Sequence, residues 1–62
     1  MTAVQMIETK AYQIVARMDI WETGVNAIPA IVQLRKEICG ISLIDAKKAI
    51  DQIIKERAAA YD

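Results

Sequence analysis

Leu34-Arg35-Lys36-Glu37-Ile38-Cys39-Gly40-Ile41-Ser42-Leu43-Ile44-Asp45-Ala46-Lys47-Lys48-Ala49-Ile50 spells the end of one helix, a stop and the start of another. Gly40 has no Cβ to clash in the left-handed conformation, so it is predicted to close the first helix from the C′ position. Ser42 then offers its hydroxyl to the first unpaired N–H groups of the next helix, with Asp45 three residues on to complete a capping box. Ile41 and Ala46 fall at the N′ and N4 positions of a hydrophobic staple, which alanine makes weak. The reading is a tight helical hairpin.

Upstream of the turn, Ile28, Ile31, Leu34 and Ile38 recur at helical spacing, with Val32 and Cys39 widening the stripe. Asn26 is the expected N-cap, and Pro29 is tolerated because the first turn has no intrahelical N–H bond to lose. Downstream, a helix is predicted from Leu43 to about Ala58, where propensity extends it into a fraying end. Leu43, Ala46, Ile50, Ile53 and Ile54 should face inward, and Lys47, Lys48, Asp51, Lys55 and Glu56 outward, with Asp51 and Lys55 as an i,i+4 pair.

Residues 3–21 carry two patterns. Val4, Ile7, Ala11, Ile14, Val15 and Met18 form a helical stripe through good helix formers. Tyr12, Ile14, Ala16, Met18 and Ile20 alternate with Gln13, Arg17 and Asp19, the period of a half-buried strand. The helical stripe spans more residues, so the expected fold is mainly α: an N-terminal helix followed by a Gly-capped helical hairpin. The alternative is β-α-α, with a strand at 12–18. Trp21 to Val25 is the loop under either reading, broken at Gly24.

At 62 residues the chain makes a single small domain, residues 1–62, and such a chain buries only about 60% of the surface its unfolded form exposes. Val4, Ile14 and Trp21 then lack full internal cover, so a homo-oligomer is expected, most simply a dimer. With 55% hydrophobic residues, two glycines and one proline, the composition is that of a folding chain. No apolar run approaches the ~18 residues of a membrane span, and charges interrupt any leader-like stretch, so no membrane association is expected. Cys39 is the single cysteine, which fits a reducing compartment, and the cytoplasm is the expected location.

Eight basic and eight acidic side chains cancel, so no overall field favours nucleic acid. Arg35, Lys36, Lys47 and Lys48 nevertheless bracket the Gly40 turn and leave that end modestly positive, either as a solvated rim or as a contact. The chain contains no histidine, the commonest general base and metal ligand. Cys39, at the end of an apolar stripe, reads as a buried structural thiol. The acidic residues are scattered singly and the glycines stand alone, so no catalytic residues, cofactor site or metal site are assigned, and no enzyme is expected. Trp21 either closes this chain's own core or anchors a partner. Met1, Met6 and Met18 read as packing residues.

Ile31 to Lys47 resembles the helix-turn-helix of the C-terminal domain of the bacterial ribosomal stalk protein, whose hallmark is a Thr-Gly-Leu-Gly-Leu-Lys-Glu-Ala-Lys run. Leu43-Ile44-Asp45-Ala46-Lys47-Lys48-Ala49-Ile50 is also similar to the Met-Met-Asp-Cys-Lys-Lys-Ala-Leu run in the N-terminal domain of elongation factor Ts. Both families contact translational GTPases, and together the resemblances cover residues 28–50. The resemblance implies a protein partner, either a translation factor or the ribosome. It places Ile31 and Val32 at apolar contact positions, Lys36 at the basic position before the turn and Lys47 at the basic position after it. The family's second glycine is Ser42 here, its threonine is Cys39, and its lysine after the leucine is Ile44. Its downstream strand, helix and final strand have no counterpart, which implies a truncated or repurposed hairpin.

Under the strand reading, the chain instead resembles a ribbon-helix-helix DNA-binding dimer, with Gln13, Val15 and Arg17 facing the major groove. The charge balance and the long connection from Arg17 to Asn26 stand against it.

Overall fold

Thr2 starts the first helix. Its Oγ1 accepts the Gln5 N–H at 3.2 Å, and its own N–H donates to Gln5 Oε1 at 2.9 Å, satisfying two end donors reciprocally. Helix α1 runs over Ala3–Met18 in the computed structural model, which describes residues 2–61 and side chains as far as Ala60. Met1, Asp62 and the Tyr61 side chain therefore lie outside the described residues. Helix α1 ends on Asp19, which takes the left-handed conformation at φ 57°. The Asp19 N–H reaches the Ala16 carbonyl, and the Ile20 N–H reaches that of Val15, so the last turn is tied off without a glycine.

Gly24, at φ 79°, opens a short 3-10 turn over Gly24–Ala27 that leads into α2, Ile28–Glu37, with Pro29 in its first turn. Asn26 does not cap α2. Ala27 holds the cap position, and the Asn26 amide donates instead to Glu22 at 2.7 Å. Helix α3 runs over Leu43–Tyr61, longer than the expected end at Ala58. Ser42 Oγ accepts the Asp45 N–H at 3.1 Å, the forward half of the expected capping box, and the return bond to Asp45 is not made among the described residues.

The described residues form three helices and no strand, which settles residues 12–18 as helix. Gln13, Val15 and Arg17 therefore cannot form the face of a DNA-reading ribbon, and Val15 is wholly buried. Each helix packs on the other two. The shared core is Ala11, Ile14 and Val15 from α1, Ala30, Ile31 and Leu34 from α2, and Ala46, Ile50, Ile53 and Ile54 from α3, with Ala27 beside them. The radius of gyration is 10.6 Å, close to the ~10.5 Å expected of a compact chain of this length, so no element stands away from that core.

The buried face of α2 is rotated from its expected stripe. Ala27, Ala30, Ile31 and Leu34 point inward, and Ile28 and Val32 are exposed. The small alanines let α2 approach its neighbours closely, whereas the larger Ile28 in their place would hold the helices apart. Leu43, expected inward, is 56% exposed, and Val4 and Met18 likewise lie outside the α1 core face. Trp21 packs at the edge of the core, donating from Nε1 to Asp19, with the Arg57 guanidinium 3.6 Å from its ring centre. Its packing role is thus to close this chain's own core. Among the described residues no helix is long and apolar enough to cross a membrane.

Candidate hairpin contact site

The connection between α2 and α3 is a hydrogen-bonded turn. The Ile38 backbone leaves the helix in an extended conformation, and the Ile41 N–H returns to the Ile38 carbonyl at 3.5 Å. Gly40 therefore sits at the third position of that turn, with φ 89°, as a type II turn requires. Its positive φ is as expected. Its place is not the expected C′ position, because α2 ends at Glu37 and Ile38 is the cap. The early exit also turns Cys39 outward, so its thiol is exposed rather than buried.

The turn forms one wall of a shallow groove of about 590 Å³, whose sides include Val32 and Lys36 on α2 and Leu43 at the start of α3. Arg35, Cys39 and Ile41 complete its apolar and basic lining. Val32 and Leu43 are 46% and 56% exposed, so apolar surface is displayed within reach of solvent. Arg35 and Lys36 are exposed, and neither forms an ion pair among the described residues. The groove thus joins an apolar floor to a cationic rim. That chemistry suits an apolar side chain flanked by carboxylates.

Of the four residues assigned from the resemblance, Val32 and Lys36 meet in this groove. Ile31 is 5% exposed and belongs to the core, so it supports the site from behind and offers little to touch. Lys47 stands one turn after Leu43, outside the lining, and its Nζ lies 3.8 Å from Asp51 Oδ2. The expected pairing of Asp51 with Lys55 is therefore replaced by one with the preceding turn. No protein-family model, curated protein or solved structure matches this chain. Arg35 and Leu43 lie outside the four assigned positions. The signal for Arg35 is its place in the basic run before the turn, whereas the spacing of Leu43 points it to the core.

No set of three or more histidine, cysteine or acidic side chains is gathered as a metal would need, among the described residues. The exposed Cys39 thiol has no histidine anywhere in the chain to act as its base.

Proposed function

We propose that this chain is a small, non-enzymatic protein-interaction module that acts in the cytoplasm. Its groove at the α2–α3 turn holds an acidic, partly apolar segment of a partner. The observation that carries this reading is the pairing of exposed Val32 and Leu43 with the Arg35 and Lys36 rim, neither of which forms an ion pair among the described residues. Apolar anchors supply binding free energy in such contacts, and unpaired rim charges set orientation and association rate. The partner is a component of the bacterial translation machinery, such as a translational GTPase or the ribosome. That choice rests on the resemblance of residues 28–50 to the stalk-protein and elongation-factor hairpins.

The test is calorimetric titration of the chain into purified bacterial translational GTPases and ribosomes. Binding should weaken tenfold or more in Val32→Asp and in Lys36→Glu, by loss of an apolar anchor and of charge complementarity. Unchanged affinity in both variants would remove the groove as the site. Absence of binding by the unaltered chain to either target would remove the translation partner.

A further inference from the structure

The outer side of α2 and of the turn that leads into it carries a row that is symmetric in sequence about its own midpoint. Glu22, Val25, Ile28, Pro29, Val32 and Arg35 follow one another at spacings of three, three, one, three and three residues. All six are exposed, with Val25 at 78%, Ile28 at 51% and Val32 at 46%. Residues three apart eclipse in a 3-10 turn, so Val25 stands over Ile28. Ile28, Val32 and Arg35 share a face of the α-helix that follows. The Asn26 amide holds the Glu22 carboxylate at the N-terminal end of the row. Apolar side chains thus occupy the middle, with an acid at one end and a base at the other.

We propose that this face pairs with the same face of a second copy of the chain, the two Glu22 to Arg35 segments running antiparallel across a two-fold axis between Ile28 and Pro29, so that the start of α2 in each copy lies over the 3-10 turn of the other. In that arrangement Val25 of each copy meets Val32 of the other, and Glu22 of each meets Arg35 of the other. A two-fold contact is self-complementary by construction, and this row meets that condition in the order of its residues and in charge. A parallel pairing would set Glu22 against Glu22 and Arg35 against Arg35. The antiparallel one turns both ends into attractive pairs. The contact is small, so the dimer is weak, with a Kd on the order of 100 µM. It goes beyond the partner reading above and shares only Val32 and Arg35 with that groove.

Sedimentation equilibrium on the full chain, up to about 1 mM, tests it. The unaltered chain should approach twice its 6.9 kDa mass. Glu22→Lys and Arg35→Glu should each weaken association about tenfold or more, because each sets like charges opposite one another twice. An equimolar mixture of the two variants should restore dimers, since both end pairs become attractive in the mixed species. Ile28→Asp, at the first residue of α2 where an acid suits the helix terminus, should stay helical by circular dichroism and be monomeric. A strict monomer for the unaltered chain overturns the proposal and leaves the row to a different protein. Failure of the mixture to recover association, or dimers in Ile28→Asp, overturns it as well.

Discussion

Arg17, in the last turn of α1, donates from Nη2 to Glu37 Oε2 at 2.8 Å and so clasps the end of α1 to the end of α2. Gln33 donates to the same oxygen at 2.9 Å, and Lys10 stands 3.7 Å from the other. The Gln33 hydrogen bond, then the Arg17 hydrogen bond, hold the Glu37 carboxyl below its ordinary value of 4.5 against an opposing effect of burial, with smaller help from the charges of Arg17 and Lys10.

A carboxyl whose pKa is lowered by folding contributes stability that is complete above its unfolded pKa and is lost as pH falls through the folded one. The melting temperature of Glu37→Gln should therefore lie below that of the unaltered chain at neutral pH. The gap should hold at pH values above the ordinary 4.5 and narrow progressively as the pH falls below it, through the lowered folded value. A gap that persists undiminished in acid would show that Glu37 acts through its shape and neutral hydrogen bonding.

Gly40 sits at φ 89° with nothing within 4 Å of where a Cβ would stand. A side chain there meets no neighbour, so its cost is backbone strain alone. Gly40→Val should lose about 1–3 kcal/mol in urea unfolding, and Gly40→Asn clearly less, because asparagine tolerates positive φ. Equal midpoints for Gly40→Val and the unaltered chain would mean that the turn re-forms in another conformation.

The devices legible in the residues were those that act over three or four positions. The Ser42 cap, the positive φ at Gly40 and the helical stripe through Ile7, Ala11, Ile14 and Val15 all act at that range. The Thr2 to Gln5 box follows the same Thr-x-x-Gln rule and could have been read from it. The rotation of α2 could not. Ile31 and Leu34 belong to both of its candidate stripes, and only the close approach of α1 and α3 chooses the side with Ala27 and Ala30. Hydropathy ranks Ile28 above alanine, but packing prefers the smaller side chain at a helix crossing. The left-handed Asp19 was equally hidden, since aspartate takes positive φ only where its surroundings hold it there. At the candidate site, the resemblance pointed to Val32 and Lys36; the burial of Ile31 is a tertiary fact, whereas the pairing of Lys47 with Asp51 is an i,i+4 contact within α3 that the spacing also allowed.

Ile50 and Leu43 lie seven residues apart on α3 and carry the same helical phase in the sequence, yet Ile50 is wholly buried and Leu43 is 56% exposed. The first turn of α3 runs past the end of the shared core. Ile50→Ala should cost about 2–5 kcal/mol, enough to unfold much of so small a domain, because it leaves a cavity among three helices. Leu43→Ala should stay within about 0.5 kcal/mol of the unaltered chain. Comparable losses from both would mean that Leu43 is covered in solution, as by a bound second molecule.

Lys36 and Lys47 bracket the turn, and reversal of either charge should weaken a partner that docks there, but their effects on folding should differ. Lys36 is exposed with no ionic partner among the described residues, so Lys36→Glu should change stability by less than about 0.5 kcal/mol. Lys47 faces Asp51, whose side chain is 23% exposed and whose Oδ1 is buried with no hydrogen-bond partner among the described residues. Lys47→Glu sets a second carboxylate one helical turn from that group, and a cost of about 0.5–1 kcal/mol is expected from the lost attraction and the new repulsion. Lys47→Gln removes the positive charge without adding the repulsion. Paired urea unfolding and titration curves for the three variants separate the two roles. If Lys47→Gln binds the partner as the unaltered chain does and Lys36→Glu does not, the contact is confined to the groove and Lys47 serves the helix. If both lose binding at unchanged stability, the contact extends along α3 beyond Leu43.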